Sequence, residues 1–135
     1  LERPYREDKY GGKTPEETFD LFLEALRKDD IELASKYFEI ENQGEWLNNL
    51  QEVREKNQVN EFIKELEDNR KNWKLVKNDG REAVYEYTYK IEEPQIEELP
   101  VSGGTQKVVF PPGEYRADIL FQKNTYSGVW KLIRI

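Results

Sequence analysis

The first half of the chain carries apolar residues at helical spacing. After Thr14, the residues Phe19, Phe22, Leu23 and Leu26 recur at positions i, i+3, i+4 and i+7. This spacing places the four side chains on one stripe of a helix, about 100° wide. The pattern predicts an amphipathic helix with one side facing a core.

The segment "GGKTPEET", residues 11–18, marks the start of this helix. Its "GKT" is also the end of a phosphate-binding loop, but the position that such a loop reserves for glycine is Glu7, and no buried strand precedes it. Thr14 instead suits the N-cap, Pro15 the first helical position and Glu17 the third position of a capping box. The segment therefore predicts a helix start and not a nucleotide site.

Further helices are predicted before Trp73, which gives three or four in all. Asp29, with Glu32 three residues later, is predicted to cap a short second helix that ends near Phe38. Two more apolar stripes follow, namely Trp46, Leu47, Leu50 and Val53, and then Val59, Phe62, Ile63 and Leu66. The two stripes are out of phase, so we expect a break near Asn57.

The apolar period changes to two after Trp73. Two strands are predicted there, joined by a turn at residues 78–80, whose "NDG" tolerates left-handed backbone conformations. Later strands are predicted at 107–110, 114–123 and 128–135. Residues 92–98 are predicted to be a solvated excursion between strands, and the whole connection over residues 93–106 is of a length typical of functional or disordered loops. Helices followed by an antiparallel sheet of about five strands define an α+β fold, with helices packed on one face of the sheet. The residues expected to form its core are Phe19, Phe22, Leu23, Leu26, Phe38, Phe62, Leu66, Leu75, Ile119 and Phe121.

Composition limits the organisation and the partners of the chain. With 135 residues, 36% of them apolar, we expect a polar tether over residues 1–13 and one domain over residues 14–135. The 28 acidic and 21 basic residues give a net charge of −7, which repels nucleic acid and anionic lipid. No apolar run reaches the roughly 18 residues of a membrane span. Neither nucleic-acid binding nor membrane insertion is expected.

Three residue types are missing from the sequence. The chain has no cysteine and no histidine, so it lacks thiol nucleophiles, thiolate metal sites and the commonest general base. We therefore expect no metal site and no cofactor, and we assign no catalytic residue. The chain also has no methionine, which favours a preceding segment that has been removed.

A resemblance emerges from the order of these elements. The run "TPEETFDLFLEALRKDDIELASKYF", a third helical region, several strands and the closing "GVWKLIRI" resemble the nuclear transport factor 2-like (cystatin-like) superfamily of cone-shaped α+β domains. The resemblance covers residues 14–135 and is greatest to small uncharacterised bacterial members attached to exported or lipid-anchored proteins. It implies a location at the cell envelope or outside the cell, with the cytoplasm as the alternative.

The resemblance also implies a cavity between a curved sheet and the helices. The predicted lining is Tyr85, Tyr87 and Tyr89 from one strand, with Trp130 from the last strand. Aromatic rings with polar tips suit a flat organic ligand. The alternative interpretation is that tyrosines at a period of two are ordinary strand residues that pack beneath the helices.

Arg116 and Asp118 form the other candidate pair, on the fourth predicted strand. In a cavity that excludes water, an aspartate beside tyrosines could act as a proton-transfer isomerase does, with the carboxylate as base and the phenols stabilising an enolate. The alternative is a charge pair on the solvated face of the sheet. The sequence leaves open which face of this strand is concave.

Two hypotheses of function follow. The preferred one is a non-catalytic module of an exported or envelope-tethered bacterial protein, which binds a small organic ligand in the cavity or forms a homodimer. The alternative is a small-molecule isomerase or lyase that uses Asp118 and the tyrosines. Superfamily members include enzymes and binding modules, so the fold does not choose between them.

Overall fold

The computed structural model describes residues 1–135 as five α-helices, one 3₁₀ turn and six strands. The helices are α1 (Arg3–Arg6), α2 (Pro15–Arg27), α3 (Ile31–Ser35), α4 (Gln43–Glu55) and α5 (Val59–Arg70), with the 3₁₀ turn at Ile40–Asn42. The strands are β1 (Lys74–Asn78), β2 (Glu82–Ile91), β3 (Gln95–Val101), β4 (Gly104–Phe110), β5 (Gly113–Lys123) and β6 (Trp130–Arg134). The predicted α+β class is confirmed, with more helices and strands than expected.

Helix α2 begins and packs as the sequence predicts. The Thr14 side chain accepts a hydrogen bond from the Glu17 amide, and Pro15 occupies the first helical position. The stripe that contains Phe19 and Phe22 is buried. The helix start therefore satisfies an amide that would otherwise lack a partner.

The cap of α3 is one residue later than predicted. Asp30, and not Asp29, caps the helix, because its side chain accepts a hydrogen bond from the Leu33 amide at 3.1 Å. Asp29 has a φ of 57°, the left-handed conformation that ends α2. Asn57 has a φ of 56° between α4 and α5, so the predicted break near this residue is confirmed.

The strands form two antiparallel sheets. A four-stranded sheet has the order β1-β2-β5-β6, and β3 pairs only with β4 in a separate two-stranded sheet. The prediction that residues 93–106 form a loop is thus wrong in part, because this segment contains all of β3 and the start of β4. This β-hairpin is inserted between β2 and β5, which pair with each other along their whole length.

The two edges of the four-stranded sheet differ. The edge at β6 is covered, because the Leu132 amide donates to the Tyr37 carbonyl at 2.9 Å and the Glu39 amide donates to the Leu132 carbonyl at 2.9 Å. The edge at β1 is open. Leu75, which we expected to be buried, is 59% exposed on this edge.

The core lies between the helices and one face of the four-stranded sheet. Trp73, at the end of the helical half, lies against Phe19, Tyr85 and Phe121, with ring centroids 4.6–6.0 Å apart. The residues predicted to form the core are buried in most cases, namely Phe19, Phe22, Leu23, Leu26, Phe38, Leu66, Ile119 and Phe121. Phe62 is only half-buried. The aromatic cluster fixes the helices onto the sheet.

The N-terminal segment packs on the body, in contrast to the polar tether predicted for residues 1–13. The Trp130 amide donates to the Gly12 carbonyl at 3.0 Å, and the Asn124 side-chain amide donates to the Tyr5 carbonyl at 2.8 Å. Asp8 is buried. Polar groups hold this segment, which explains why the search for apolar periodicity did not detect the contact.

Gly11 is required by the close approach of this segment to β6. A Cβ atom at Gly11 would lie 2.2 Å from the carbonyl oxygen of Trp130, which is backbone and cannot rotate away. We expect Gly11→Ala to lower the free energy of unfolding by about 1–3 kcal/mol, the usual cost of overpacking. Urea denaturation would measure the effect. The control is Gly44→Ala, where nothing lies within 4 Å and helical alanine should be neutral or slightly stabilising. Equal effects of the two variants would contradict this packing.

Candidate functional site

A cleft opens between α5, β2 and the start of β3. Its volume is about 770 Å³, and its walls come from one face of α5 and from residues 87–91 of β2. Helix α5 contacts β2, and its residues Ile63 and Leu66 are buried in the core. The cleft thus lies where the helix and the sheet separate.

Tyr87 and Tyr89 form the aromatic wall of the cleft. Their ring centroids are 6.1 Å apart, and Tyr89 stacks on Tyr115 of β5 at 5.8 Å. Burial raises the pKa of the Tyr87 hydroxyl, and the charge of Glu65 and the nearby Tyr89 raise it further. The Tyr87 hydroxyl therefore stays protonated and can donate a hydrogen bond.

Carboxylates dominate the charged groups of the cleft. Helix α5 contributes Glu61, Glu65 and Asp68 at spacings of four and three residues, which place them on one helix face. Lys64 and Lys90 also line the cleft. Aromatic faces beside carboxylates favour a positively charged group, because a cation is attracted both by the ring quadrupole and by the negative charge.

Tyr85 and Trp130 lie outside the cleft. Both are buried in the core, and the Tyr85 ring contacts Trp73 and Phe121. These two residues therefore pack in the core, as the alternative interpretation of the sequence predicted. Of the four predicted lining residues, the structure brings together Tyr87 and Tyr89.

Arg116 and Asp118 lie on the opposite face of the sheet from the tyrosines. The strand register pairs Asp118 with Glu86 and Arg116 with Thr88, whereas Tyr87 pairs with Ala117. The Asp118 side chain is 44% exposed and lies 3.9 Å from Arg134, and Arg116 lies 3.3 Å from Glu86. The proposed general base and the tyrosines therefore do not converge on one cavity.

A second, smaller pocket of about 320 Å³ lies where the N-terminal segment meets β6. Beside it, Lys131 Nζ lies 2.9 Å from Asp8 Oδ2, and the two side chains are 4% and 3% exposed. Nζ donates to Asp8 Oδ1 at 3.1 Å and to the carbonyls of Tyr10 and Lys36 at 2.6 Å each. All three ammonium hydrogens thus have an acceptor.

This ion pair is almost fully buried. Burial lowers the pKa of Lys131, and the hydrogen bond and charge of Asp8 oppose that shift. Burial also raises the pKa of Glu39, which lines the same pocket. Sequence reasoning missed this pair, because Asp8 and Lys131 are 123 positions apart. The available signal was the position of Lys131 between Trp130 and Leu132, which places a charge inside an apolar strand.

The tyrosines of this pocket are already engaged within the chain. The Tyr5 hydroxyl donates to Glu41, and the Arg6 guanidinium lies over the Tyr126 ring, 5.3 Å from its centroid. Lys131 has no hydrogen left for a ligand. The larger cleft at α5 and β2 is therefore the better candidate for binding.

Comparison of the chain with models of known protein families, with curated protein sequences and with solved structures gave no match. None of the α-helices is both long enough and apolar enough to cross a membrane. No three acidic side chains lie close enough together to hold a metal ion. The geometry of the cleft is therefore the basis on which we infer function.

Proposed function

We propose that this chain is a non-catalytic binding module and that the cleft between α5 and β2 takes a small organic cation. The observation that supports the proposal is the placement of Tyr87 and Tyr89 opposite the carboxylates of α5. A ligand with an aromatic or aliphatic body and one ammonium group matches both walls.

The charge balance of the cleft favours this ligand class. Four carboxylates line it, from Glu61, Glu65, Asp68 and Glu97, against the two ammonium groups of Lys64 and Lys90. The net charge of these six side chains is −2. A cation over a tyrosine ring gains about 0.5–2 kcal/mol, and nearby carboxylates add to this attraction.

The non-catalytic part of the proposal is supported by the distance of Asp118 from the cleft lining. Its carboxylate is solvated and lies on the face away from Tyr87. Proton transfer requires a base within hydrogen-bonding reach of the substrate. We extend the proposal to a fold of the nuclear transport factor 2-like type and to an exported or envelope-tethered protein, on the resemblance of the sequence.

Titration with three matched probes tests the ligand class. We expect benzyltrimethylammonium to shift the amide NMR signals of residues 61–72 and 87–91, and benzyl alcohol and benzoate to leave them unchanged. Tyr87→Leu keeps an apolar side chain but removes the ring face. It should weaken binding by about 2–30-fold, as the loss of 0.5–2 kcal/mol implies.

Tyr126→Leu is the control for this titration, because Tyr126 is exposed and lies outside the cleft. Its affinity for the cation should equal that of the unaltered protein. Equal binding of the three probes, or shifts confined to residues outside the cleft, would contradict a cation site. Turnover of a bound amine that Asp118→Asn abolishes would favour the enzyme hypothesis instead.

A further inference from the structure

The exposed apolar side chains concentrate on two elements, β1 and the β3–β4 hairpin. Leu75 and Val76 of β1 are each 59% exposed. The hairpin exposes Ile96 by 66% and Val109 by 57%, and these two residues are cross-strand partners. Leu99 near the hairpin tip is exposed as well. Two apolar strips thus remain uncovered. One is Leu75 and Val76 on β1, and the other is Ile96, Leu99, Val101 and Val109 on the hairpin; the remaining exposed large apolar side chains, Leu1, Tyr89 and Tyr126, lie elsewhere.

Each strip lies on a strand with an unpaired edge. Strand β1 ends the four-stranded sheet, and β3 pairs only with β4. An open edge presents a row of backbone amides and carbonyls that can accept another strand. The other end of the four-stranded sheet is covered by the segment from Tyr37 to Glu39, so β1 is the edge left for pairing.

Of the three strands with an open edge, β1 and β3 carry opposite charge, and β4 contains only Lys107 as a charged residue. Strand β1 contains Lys74 and Lys77 and no acidic residue, and Lys77 also lies 3.2 Å from Glu82 of the same molecule. Strand β3 contains Glu97 and Glu98 and no basic residue. The flanking segments extend the difference, with Arg70 and Lys71 before β1 and Glu92 and Glu93 before β3. The strips are therefore complementary in charge and alike in apolar character.

The strips belong to separate sheets and do not pair within one molecule. Strand β1 pairs with residues 83–86 of β2, whereas the hairpin follows the other end of β2, beyond Ile91. Along β2, the residue that pairs with the near end of β1, Glu86, is five residue steps from Ile91, beyond which the hairpin begins. These steps span about 17 Å of extended strand. The complement of each strip is therefore found on another copy.

We propose that β1 of one copy pairs with β3 of a second copy, with Lys74 and Lys77 beside Glu97 and Glu98. Because the contact joins two different surfaces, it is heterologous and generates a ring or an open chain of molecules. Backbone hydrogen bonds supply the pairing, and the lysines and glutamates select the partner strand. The strand pairing needs no ligand in the cleft, although Glu97 lines the cleft as well.

Light scattering on the purified protein tests this contact. We expect concentration-dependent association at low salt that weakens as salt rises, because the charges lie at the surface. Lys74→Glu/Lys77→Glu and Glu97→Lys/Glu98→Lys should each associate at least about tenfold more weakly, because each places like charges opposite one another.

Mixing the two variants provides the decisive measurement. The acidic β1 of the first faces the basic β3 of the second, and the remaining strips match as well, so the mixture should associate while each variant alone does not. Lys13→Glu/Lys56→Glu is the control for Lys74→Glu/Lys77→Glu, because it makes the same change of net charge at exposed lysines outside both strands. Circular dichroism of each variant confirms that it is folded.

Three outcomes would overturn the proposal. They are a wild-type protein that stays monomeric at all concentrations, equal loss of association in the control variant, and folded variants that fail to associate when mixed. Binding of an acidic extended peptide at β1 by a protein that stays monomeric would assign this edge to a foreign strand instead. Association reads out as mass and ligand binding as NMR shifts, so failure of this proposal is distinguishable from failure of the cation site.

Discussion

Replacing Asp8 by asparagine is expected to lower the free energy of unfolding by about 3–5 kcal/mol. Asparagine keeps the size of the side chain but removes its charge. The Lys131 ammonium is then left buried without a counter-charge, held only by neutral oxygens, namely the carbonyls of Tyr10 and Lys36 and the amide oxygen introduced at position 8. Urea denaturation at neutral pH measures the loss.

The double variant Asp8→Leu/Lys131→Met separates the value of the ion pair from the cost of breaking it. Because both charges are removed and apolar volume replaces them, we expect it to be more stable than Asp8→Asn. Asn124→Ala, which removes the bond to the Tyr5 carbonyl, is a control for loss of one neutral contact in the same region. An Asp8→Asn protein as stable as wild type would show that the N-terminal segment contributes little.

Phe22→Ala is expected to cost about 3–5 kcal/mol of unfolding free energy. The Phe22 side chain is fully buried between α2 and the segment after α3, and its ring meets Phe38 edge-on at 5.3 Å. Removing the ring leaves a cavity that the sheet behind it cannot fill. The midpoint and slope of a urea transition measure the change.

Phe62→Ala is the matched comparison for this truncation. The same atoms are removed from α5, but Phe62 is only half-buried, so part of its ring already contacts water. We expect a clearly smaller loss of stability than for Phe22→Ala. Equal losses would contradict the difference in burial that the structure assigns to the two helices.

The helices and most of the core could be predicted from the sequence because each is specified locally. The spacing of Phe19, Phe22 and Leu26 defines a buried stripe, and Thr14 with Pro15 defines the start. The exposure of Leu75 could not be predicted in this way. Its apolar character indicates a strand, but only the sheet order shows that the strand is an uncovered edge.

Strand β3 was missed because its composition opposes the prediction. The run "QIEELPV" contains two glutamates and a proline, which are uncommon in strands. Its pairing with β4 is specified by the turn at residues 102–103 and by the cross-strand partners, such as Ile96 with Val109 and Glu98 with Lys107. The signal for this hairpin is the pair "SG" between two runs that can align as cross-strand partners.

The face of β5 was the decisive unknown for the candidate site. The alternation of Ala117, Ile119 and Phe121 along β5 already indicates the buried face, and Arg116 and Asp118 fall between these residues. Which tyrosines are buried was less predictable. Tyr85 and Tyr87 share one face of β2, and only the point at which α5 leaves the sheet separates core from cleft.

The Lys131 ammonium joins positions 8, 10 and 36 of the chain to position 131. A ribosome adding about 5–20 residues per second makes Asp8 roughly 6–25 s before Lys131. Until then the Asp8 carboxylate has no cation to bond and Thr18 has no carbonyl of Trp130 to donate to. The nascent chain can form its helices early, but the segment around Asp8 is secured only after Lys131 has been made. A product that terminates before Trp130 therefore has an unsecured, protease-accessible segment around Asp8 and an exposed helical core face.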